Sequence, residues 1–349
     1  MMPEIEIAGR RIGGAYEPYV ICELSGNHNG SLDRALAMID AAAATGCDAI
    51  KIQTYTADTI TMDVDRPEFR ITGGLWDGRS LHDLYQEAQT PFEWHAALFE
   101  RARERGVTLF SSPFDETAVD LLDSLGAPAF KIASFEAVDL PLIRYAAAKG
   151  KPLIISTGMA SLAEMAAARD AALEAGAAGV VLLHCVSSYP AEMADANVRT
   201  VADMAGRFES PIGLSDHTHG SAASVAAIAL GACVIEKHFT LARADGGPDA
   251  AFSLEPAEFA GLVADCKDAW RALGRAHYDV LGSERGSLQF RRSLYVSADV
   301  KAGEPLSRAN VRSIRPGNGL PPAELDKVLG RTAARDLKRG EPLAWDMLQ

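Results

Sequence analysis

Residues 126–157 read Gly126-Ala-Pro-Ala-Phe-Lys131-Ile-Ala-Ser134-Phe-Glu136-Ala-Val-Asp-Leu140-Pro-Leu-Ile-Arg-Tyr-Ala-Ala-Ala-Lys149-Gly-Lys-Pro-Leu153-Ile-Ile-Ser156-Thr157. This is a strand, a helix and a second strand. The runs 129–133 and 153–157 are apolar at nearly every position, as in strands covered on both faces. Gly126-Ala127 is a helix C-cap leading straight into a strand. Between the two strands, 140–149 fits a helix.

The same rhythm extends in both directions. Apolar runs at 19–24, 49–53, 107–111, 129–133, 153–157, 179–185, 212–216 and 233–238 alternate with Ala/Leu/Glu-rich stretches. Ser31 opens a helix that Thr45-Gly46 closes, and Ser161 with Glu164 forms a capping box. Thr90-Pro91-Phe-Glu93 predicts another capping box with Pro at the first helical position. Further helices fit 116–125, 198–208, 221–230 and 256–273. Eight strand–helix repeats predict a parallel sheet closed as a (β/α)8 TIM barrel. An open doubly wound sheet is the runner-up, disfavoured because no GxGxxG follows the first strand. Residues 4–12 alternate around Gly9 as a small N-terminal hairpin. The longest insertion, 54–90, follows the second strand on the face where barrels carry their function.

After residue 282 the composition changes. A strand-like alternation at 293–300 precedes Lys301-Ala-Gly-Glu-Pro305, and Lys338-Arg-Gly-Glu-Pro342 repeats the same turn. The expected division is a barrel over 1–283 including the hairpin, a linker at 284–290, and a small β-rich domain at 291–349.

With 349 residues, 48% hydrophobic and 23% charged, the chain can build a sizeable core. Its net charge of −13 argues against nucleic acid as a partner. Five cysteines without a CxxC pair suit a reducing compartment. No secretory signal is read in MMPEIEIAGR and no stretch has the length of a membrane span, so a cytoplasmic protein is expected.

Barrel enzymes carry their working groups at the C-terminal strand ends. Here those ends hold Glu23, Asn27 and His28; Lys51 and Gln53; Ser112; Lys131, Ser134 and Glu136; Ser156; His184, Ser187 and Tyr189; His217; Glu236 and His238. A lysine within an apolar strand needs an anionic partner, either a carboxylate such as Glu23 or Glu236 or a ligand. Two lysines with a ring of serines describe a site for a small phosphorylated carboxylate. His217 and His238, on neighbouring strands, can hold a divalent ion whose other positions go to water and substrate.

The strings Glu23…Asn27-His28-Asn29-Gly30, Lys51-Ile-Gln53-Thr54, Ser111-Ser-Pro-Phe-Asp115, Phe130-Lys-Ile-Ala-Ser134, Ile155-Ser-Thr-Gly-Met159, Gly213-Leu-Ser-Asp-His217-Thr218 and Ile235-Glu-Lys-His238-Phe-Thr240 resemble the sialic acid synthase family. Phe290-Arg-Arg-Ser-Leu294 and Arg315-Pro-Gly-Asn-Gly319 resemble its C-terminal antifreeze-like (SAF) domain. Gly74-Leu-Trp-Asp-Gly78 and Gly247-Pro-Asp-Ala-Ala-Phe252 are most similar to the branch that forms pseudaminic acid.

The resemblance implies a transferase. It would condense phosphoenolpyruvate, water and 2,4-diacetamido-2,4,6-trideoxy-L-altrose into pseudaminic acid and phosphate, with C–O cleavage. A sister synthase making legionaminic or N-acetylneuraminic acid is the alternative, and a non-catalytic sugar-binding barrel a distant one. The implied roles are phosphoenolpyruvate binding by Lys51, Ser112, Lys131, Ser134, Ser156, Ser187 and Tyr189. Glu23, Asn27, Gln53, Trp76, Asp249, Phe290 and Arg315 would bind sugar, and Glu136 would activate water. Glu23, Gln53 and Glu236 would orient the sugar and the metal's waters. His217 and His238 would hold Mn2+, or Mg2+ or Co2+. Ser187 departs from the Asn usual in neuraminic acid synthases, keeping a donor with a shorter reach. The resemblance also implies a domain-swapped homodimer in which Arg315, with Phe290 nearby, enters the partner's barrel.

Overall fold

A computed structural model describes residues 3–349 and divides the chain into two compact units, at Gly274/Arg275. The division falls earlier than the expected 283/284. The long helix Pro256–Leu273 ends the barrel unit at Gly274, and residues 275–290 group with the C-terminal unit. The expected linker 284–290 lies within a 3-10 segment, Gly282–Phe290.

The barrel unit opens with an antiparallel hairpin of β1 (Glu4–Ile7) and β2 (Arg10–Gly13). Eight parallel strands follow: β3 (Tyr19–Glu23), β4 (Ala49–Thr54), β5 (Thr108–Pro113), β6 (Phe130–Ile132), β7 (Leu153–Ser156), β8 (Val180–Cys185), β9 (Ile212–Asp216) and β10 (Val234–His238). Each pairs with the next and β10 pairs back to β3, so the sheet is a closed barrel, as expected. Helices such as Leu32–Ala44, Leu140–Ala147 and Leu162–Glu174 cover the outside. The Ser31 cap and the Ser161/Glu164 capping box form as read. The Thr90 box does not form. Phe92–Trp94 is a 3-10 turn and the helix starts at His95, because Thr90 is spent on His28 and the His95 ring bonds Thr54.

Because successive strand residues face opposite sides, the barrel has two apolar clusters. Val20, Cys22, Ile50, Ile52, Leu109, Phe130, Ile132 and Ile155 face the helices. Tyr19, Ile21, Ala49, Phe110, Ala129, Ile154, Val181, Leu183 and Val234 fill the interior, and Ile7 and Ile12 of the hairpin plug its N-terminal end. The interior is tight: a side chain on Gly213 of β9 would collide with the Val234 carbonyl and with Leu183. All five cysteines are buried and free. No helix among the described residues is long and apolar enough to cross a membrane.

The C-terminal unit has its own core of Leu294, Val296, Val300, Leu306, Val311, Val328, Leu337 and Leu343. Its one two-stranded sheet pairs β11 (Ser293–Val296) with β12 (Val311–Ile314). The two Gly-Glu-Pro turns hold each other reciprocally. Asp336 accepts from Lys301 Nζ at 2.9 Å and Ala302 N at 3.0 Å; Asp299 accepts from Lys338 Nζ and Arg339 N, both at 2.9 Å. Val300 and Leu337 exchange backbone hydrogen bonds. The repeated wording in the sequence is thus one turn used twice about an approximate two-fold.

Candidate active site

One step of two residues up each strand converts the apolar interior into a charged layer. Ile21 is followed by Glu23, Ala49 by Lys51, Ala129 by Lys131 and Val234 by Glu236. The register fixes their neighbours. Glu23 lies beside Lys51 of β4 and beside His238 of β10, and Glu236 lies beside Ser215 of β9.

The lysines are not equivalent. Lys51 Nζ lies 2.6 Å from Glu236 Oε1 and 3.2 Å from Glu23 Oε2, with all three groups buried. Burial disfavours its charge, but the two carboxylates more than offset this and hold its pKa above the ordinary value. Glu236 is likewise held down against its burial by Lys131 and Lys51. Lys131 Nζ donates to the Ile132 carbonyl at 3.1 Å and stands 3.7 Å from Glu236. Burial, with Lys51 nearby, pulls it down to about 8 despite the attraction of Glu236. Lys131 is therefore the cation with charge to offer an incoming anion. Glu23, bonded by Gln53 Nε2 at 2.8 Å, is pushed up by burial to about 7.

Three serines end β5, β6 and β7 around this layer. The Ser112 and Ser156 hydroxyls are buried without a hydrogen-bond partner, as are Glu236 Oε2 and Glu136 Oε2. Native interiors rarely leave such groups unpaired, so the concentration here marks a surface built to face a polar ligand. Ser134 Oγ accepts the Gly158 N–H at 3.1 Å, and a side chain on Gly158 would strike both Ser187 and Ser134. The bare glycine lets two hydroxyls and the β7 loop backbone converge, a setting that suits phosphoryl oxygens. Glu136, on the 3-10 turn Ser134–Glu136, is lifted by burial to about 7.

The rings of His217 and His238 are 5.3 Å apart. His217 Nδ1 donates to the Val186 carbonyl at 2.9 Å, which leaves Nε2 as the available lone pair. His238 Nδ1 is buried without a hydrogen bond and 3.9 Å from Asp249 Oδ2. Burial, together with the nearby ammonium groups of Lys51, Lys237 and Lys131, holds His238 neutral, the form that ligates. With nitrogen–metal bonds of about 2.1 Å, each ring centre would lie roughly 3 Å from a shared ion. The spacing fits a divalent ion with two protein ligands. No cluster of three or more His, Cys, Asp or Glu suited to a metal exists among the described residues, so its remaining positions would fall to water and substrate.

The mouth has an aromatic wall. The Tyr189 ring is 4.4 Å from that of His217, 5.4 Å from Phe252 and 5.9 Å from Trp76. Trp76, at the tip of the insertion, donates Nε1 to the Pro248 carbonyl at 3.0 Å. Asn27 lies deeper: its amide donates to Phe239 O and Ser253 Oγ and accepts from Asp249 N, so it clamps the loop after β10. Phe290 is exposed in the 3-10 segment of the C-terminal unit; Arg315 follows β12. His28 and His184, weaker candidates from the sequence, bond Thr90 and the Ala196 carbonyl respectively, and burial holds His28 down near 4.

Sequence reasoning passed over Cys185. Its thiol lies 3.9 Å from His217 Nδ1 and 3.8 Å from Ser187 Oγ. Burial would raise its pKa, but His217 and the Ser134 and Ser187 hydroxyls bring it to about 7. The signal was available. Cys185 shares the strand face of Val181 and Leu183, both interior, and so belongs at the mouth.

The model of the NeuB family matches residues 38–278, and that of the SAF domain matches residues 291–349. The pseudaminic acid synthase of Campylobacter jejuni is 44% identical over 93% of this chain and 95% of its own length. That of Helicobacter pylori is 41% identical over 95% and 98%. The N,N'-diacetyllegionaminic acid synthase of Legionella pneumophila is 34% identical over 97% and 96%. Among solved structures, the N-acetylneuraminic acid synthetase of Leptospira borgpetersenii superposes with a TM-score of 0.74 at 33% identity, over 83% of this chain and 97% of that one. The chain belongs to the NeuB family, as the resemblance drawn from its strand-end motifs implied.

Proposed function

We propose that this enzyme condenses phosphoenolpyruvate with 2,4-diacetamido-2,4,6-trideoxy-L-altrose and water, releasing pseudaminic acid and phosphate. The observation that carries the chemistry is the buried layer of Lys51, Lys131, Glu23 and Glu236 below the unpaired hydroxyls of Ser112 and Ser156. The choice of sugar is supported by the higher identity to the two pseudaminic acid synthases than to the legionaminic acid synthase.

Lys131, with Ser134, Ser187 and the Gly158 backbone, suits the phosphate of phosphoenolpyruvate. Ser112, Ser156 and the Lys51 side of the layer suit its carboxylate. Carbon 3 of phosphoenolpyruvate forms the new bond to the aldehyde carbon of the open-chain sugar as the C=O π pair moves to its oxygen, which takes a proton from solvent to become a hydroxyl. The cation left at carbon 2 takes up water, and Glu136, near pH 7 in its titration, accepts the proton that the water loses. The C–O bond to phosphate then breaks, phosphate leaving with the electron pair and the proton of the carbon-2 hydroxyl, and carbon 2 becomes the ketone. Glu23 and Gln53 orient the sugar beside the layer, and Tyr189 walls it. A divalent ion bound by His217 and His238, Mn2+ or else Mg2+ or Co2+, would supply Lewis-acid polarisation of the aldehyde.

The enzyme would act as a domain-swapped homodimer in which Arg315 and Phe290 of one copy close the barrel of the other and shield the site from bulk solvent, leaving only the reacting water beside the cation. Mixing Arg315→Ala with Lys131→Ala subunits tests this; recovery of activity is expected, and none despite shown exchange overturns it. The main test is phosphate release with phosphoenolpyruvate, Mn2+ and three sugars. We expect the diacetamido trideoxy sugar to exceed N-acetylmannosamine at least tenfold in kcat/KM, from about 1–3 kcal/mol per matched group, and excess chelator to abolish release. Equal constants move the assignment to a neuraminic acid synthase. The sister reading, legionaminic acid formation, predicts turnover of the corresponding isomer instead.

A further inference from the structure

The 55–90 insertion reaches the site through its tip. Arg70 pairs with Ser80 across the base of that tip, and Ile71 N and Gly78 N bond the Arg79 and Ile71 carbonyls, closing a compact loop. Gly74 and Gly78, at φ +75° and +82°, bracket Trp76 with backbone that a side chain would strain. Apart from Trp76 the tip is poorly anchored, with Thr72, Gly73, Gly74, Leu75, Asp77 and Gly78 exposed.

The Trp76 ring instead goes to the loop after β10. Its Nε1 bond to the buried Pro248 residue's carbonyl is the single hydrogen bond between the insertion and residues 243–253 among the described residues. That loop carries Asp249 and Phe252, which flank His238: Asp249 Oδ2 is 3.9 Å from its Nδ1, and the Phe252 ring is 5.0 Å from its ring. From the barrel side the same loop is held by Asn27, which accepts from Asp249 N, and by the Ser253 hydroxyl, which donates to the Asp249 carbonyl at 2.7 Å. Asp249 is thus clamped by Asn27 below and tied through Pro248 to Trp76 above. Lys131, Ser134, Ser156 and Gly158 lie on β6, β7 and their loops, which this hydrogen bond does not touch; Tyr189, also given to phosphoenolpyruvate by the resemblance, meets the Trp76 ring at 5.9 Å but not its N–H bond.

We infer that Trp76 is a positioning residue whose indole N–H latches the insertion onto the Asp249–Phe252 loop and so preorganises the sugar side of the site, leaving the phosphoenolpyruvate side unaffected. The inference rests on the functional reading above for the identity of the sugar, but the latch itself does not. A buried-side amide acceptor that loses its donor costs about one hydrogen bond, a factor of roughly five in affinity. The preorganisation of the loop is what that factor measures.

Trp76→Phe keeps the ring against Tyr189 and removes only the N–H; Trp76→Ala removes both. In the free full-length enzyme, hydrogen exchange of residues 245–252 should quicken in both variants with the melting temperature unchanged. In turnover, KM for the sugar should rise about fivefold in Trp76→Phe with KM for phosphoenolpyruvate held within twofold, and further in Trp76→Ala, which also strips the ring from Tyr189. Unchanged exchange in both variants, or a parallel rise of both KM values in Trp76→Phe, overturns the latch. Quickened exchange together with no turnover of the diacetamido sugar by the parent enzyme upholds the latch and fails the functional reading instead.

Discussion

The lower and upper halves of the barrel interior are built on the same strands and the same face, yet they behave as different solvents. Below, Ile21, Ala49, Phe110, Ala129, Ile154 and Val234 interlock over the hairpin plug with little that is polar, the buried and unpartnered Tyr19 hydroxyl aside. One step of two residues higher, Glu23, Lys51, Ser112, Lys131, Ser156 and Glu236 are just as buried but leave polar atoms unpaired. The difference teaches that burial alone does not separate structure from function in a closed barrel. What separates them is whether the buried group finds its partner within the chain. Lys51 does, with two carboxylates; Lys131 finds only one distant carboxylate and a carbonyl.

Extending the apolar half upward by one side chain is the sharpest way to break this contrast. Lys131→Met should lower kcat/KM on the order of 10³-fold, the loss expected from deleting a charged donor at a reacting phosphoryl group. Its urea midpoint should hold or rise, since a partly paired buried amine is replaced by an isosteric apolar chain. A clear fall in the midpoint would mean that Lys131 belongs with Lys51 as a structural cation.

Breaking the paired half should do the reverse. Glu236→Ala leaves Lys51 and Lys131 facing each other without their shared carboxylate, and stability should fall by about 3–5 kcal/mol. Ile21→Ala, one step below the layer, should lose about 2–5 kcal/mol through the cavity it opens, while both KM values stay near the parent's. Denaturant titration with steady-state kinetics on the same samples checks the pair. If Ile21→Ala also shifts the KM for phosphoenolpyruvate, the two halves are mechanically one.

The smallest effect is the pH profile. Glu136 must be ionised to take a proton and is raised to about 7, so kcat/KM should climb through that pH as the carboxyl ionises. Lys131 must be charged to hold phosphate and is lowered to about 8, so activity should decline above that pH as the ammonium is lost. Glu136→Gln should abolish the acid limb and leave the alkaline one; a profile in which both limbs survive would assign the acid limb to another group.

Much of this was legible in one dimension. Strand periodicity and helix caps imposed the order and number of the barrel elements, and a step of two along a strand was enough to put Lys51 with Gln53 and to anticipate that each buried lysine required an anion. The repeated Gly-Glu-Pro turns announced the C-terminal domain. Local rules failed where a side chain had a better partner far away. Thr90 looked like a helix cap because three-residue spacing is all a sequence shows, but His28, distant in the chain, claimed its hydroxyl. Asn27, a strand-end amide in the sequence, turns out to bond the loop after β10 more than 200 residues away. Only closure of the sheet could decide which lysine finds close carboxylate partners within the chain and which does not. That depends on Glu236, 185 residues from Lys51, arriving at 2.6 Å from one ammonium and 3.7 Å from the other. At such distances in a low dielectric, about an ångström divides a satisfied ion pair from a group that still needs a ligand.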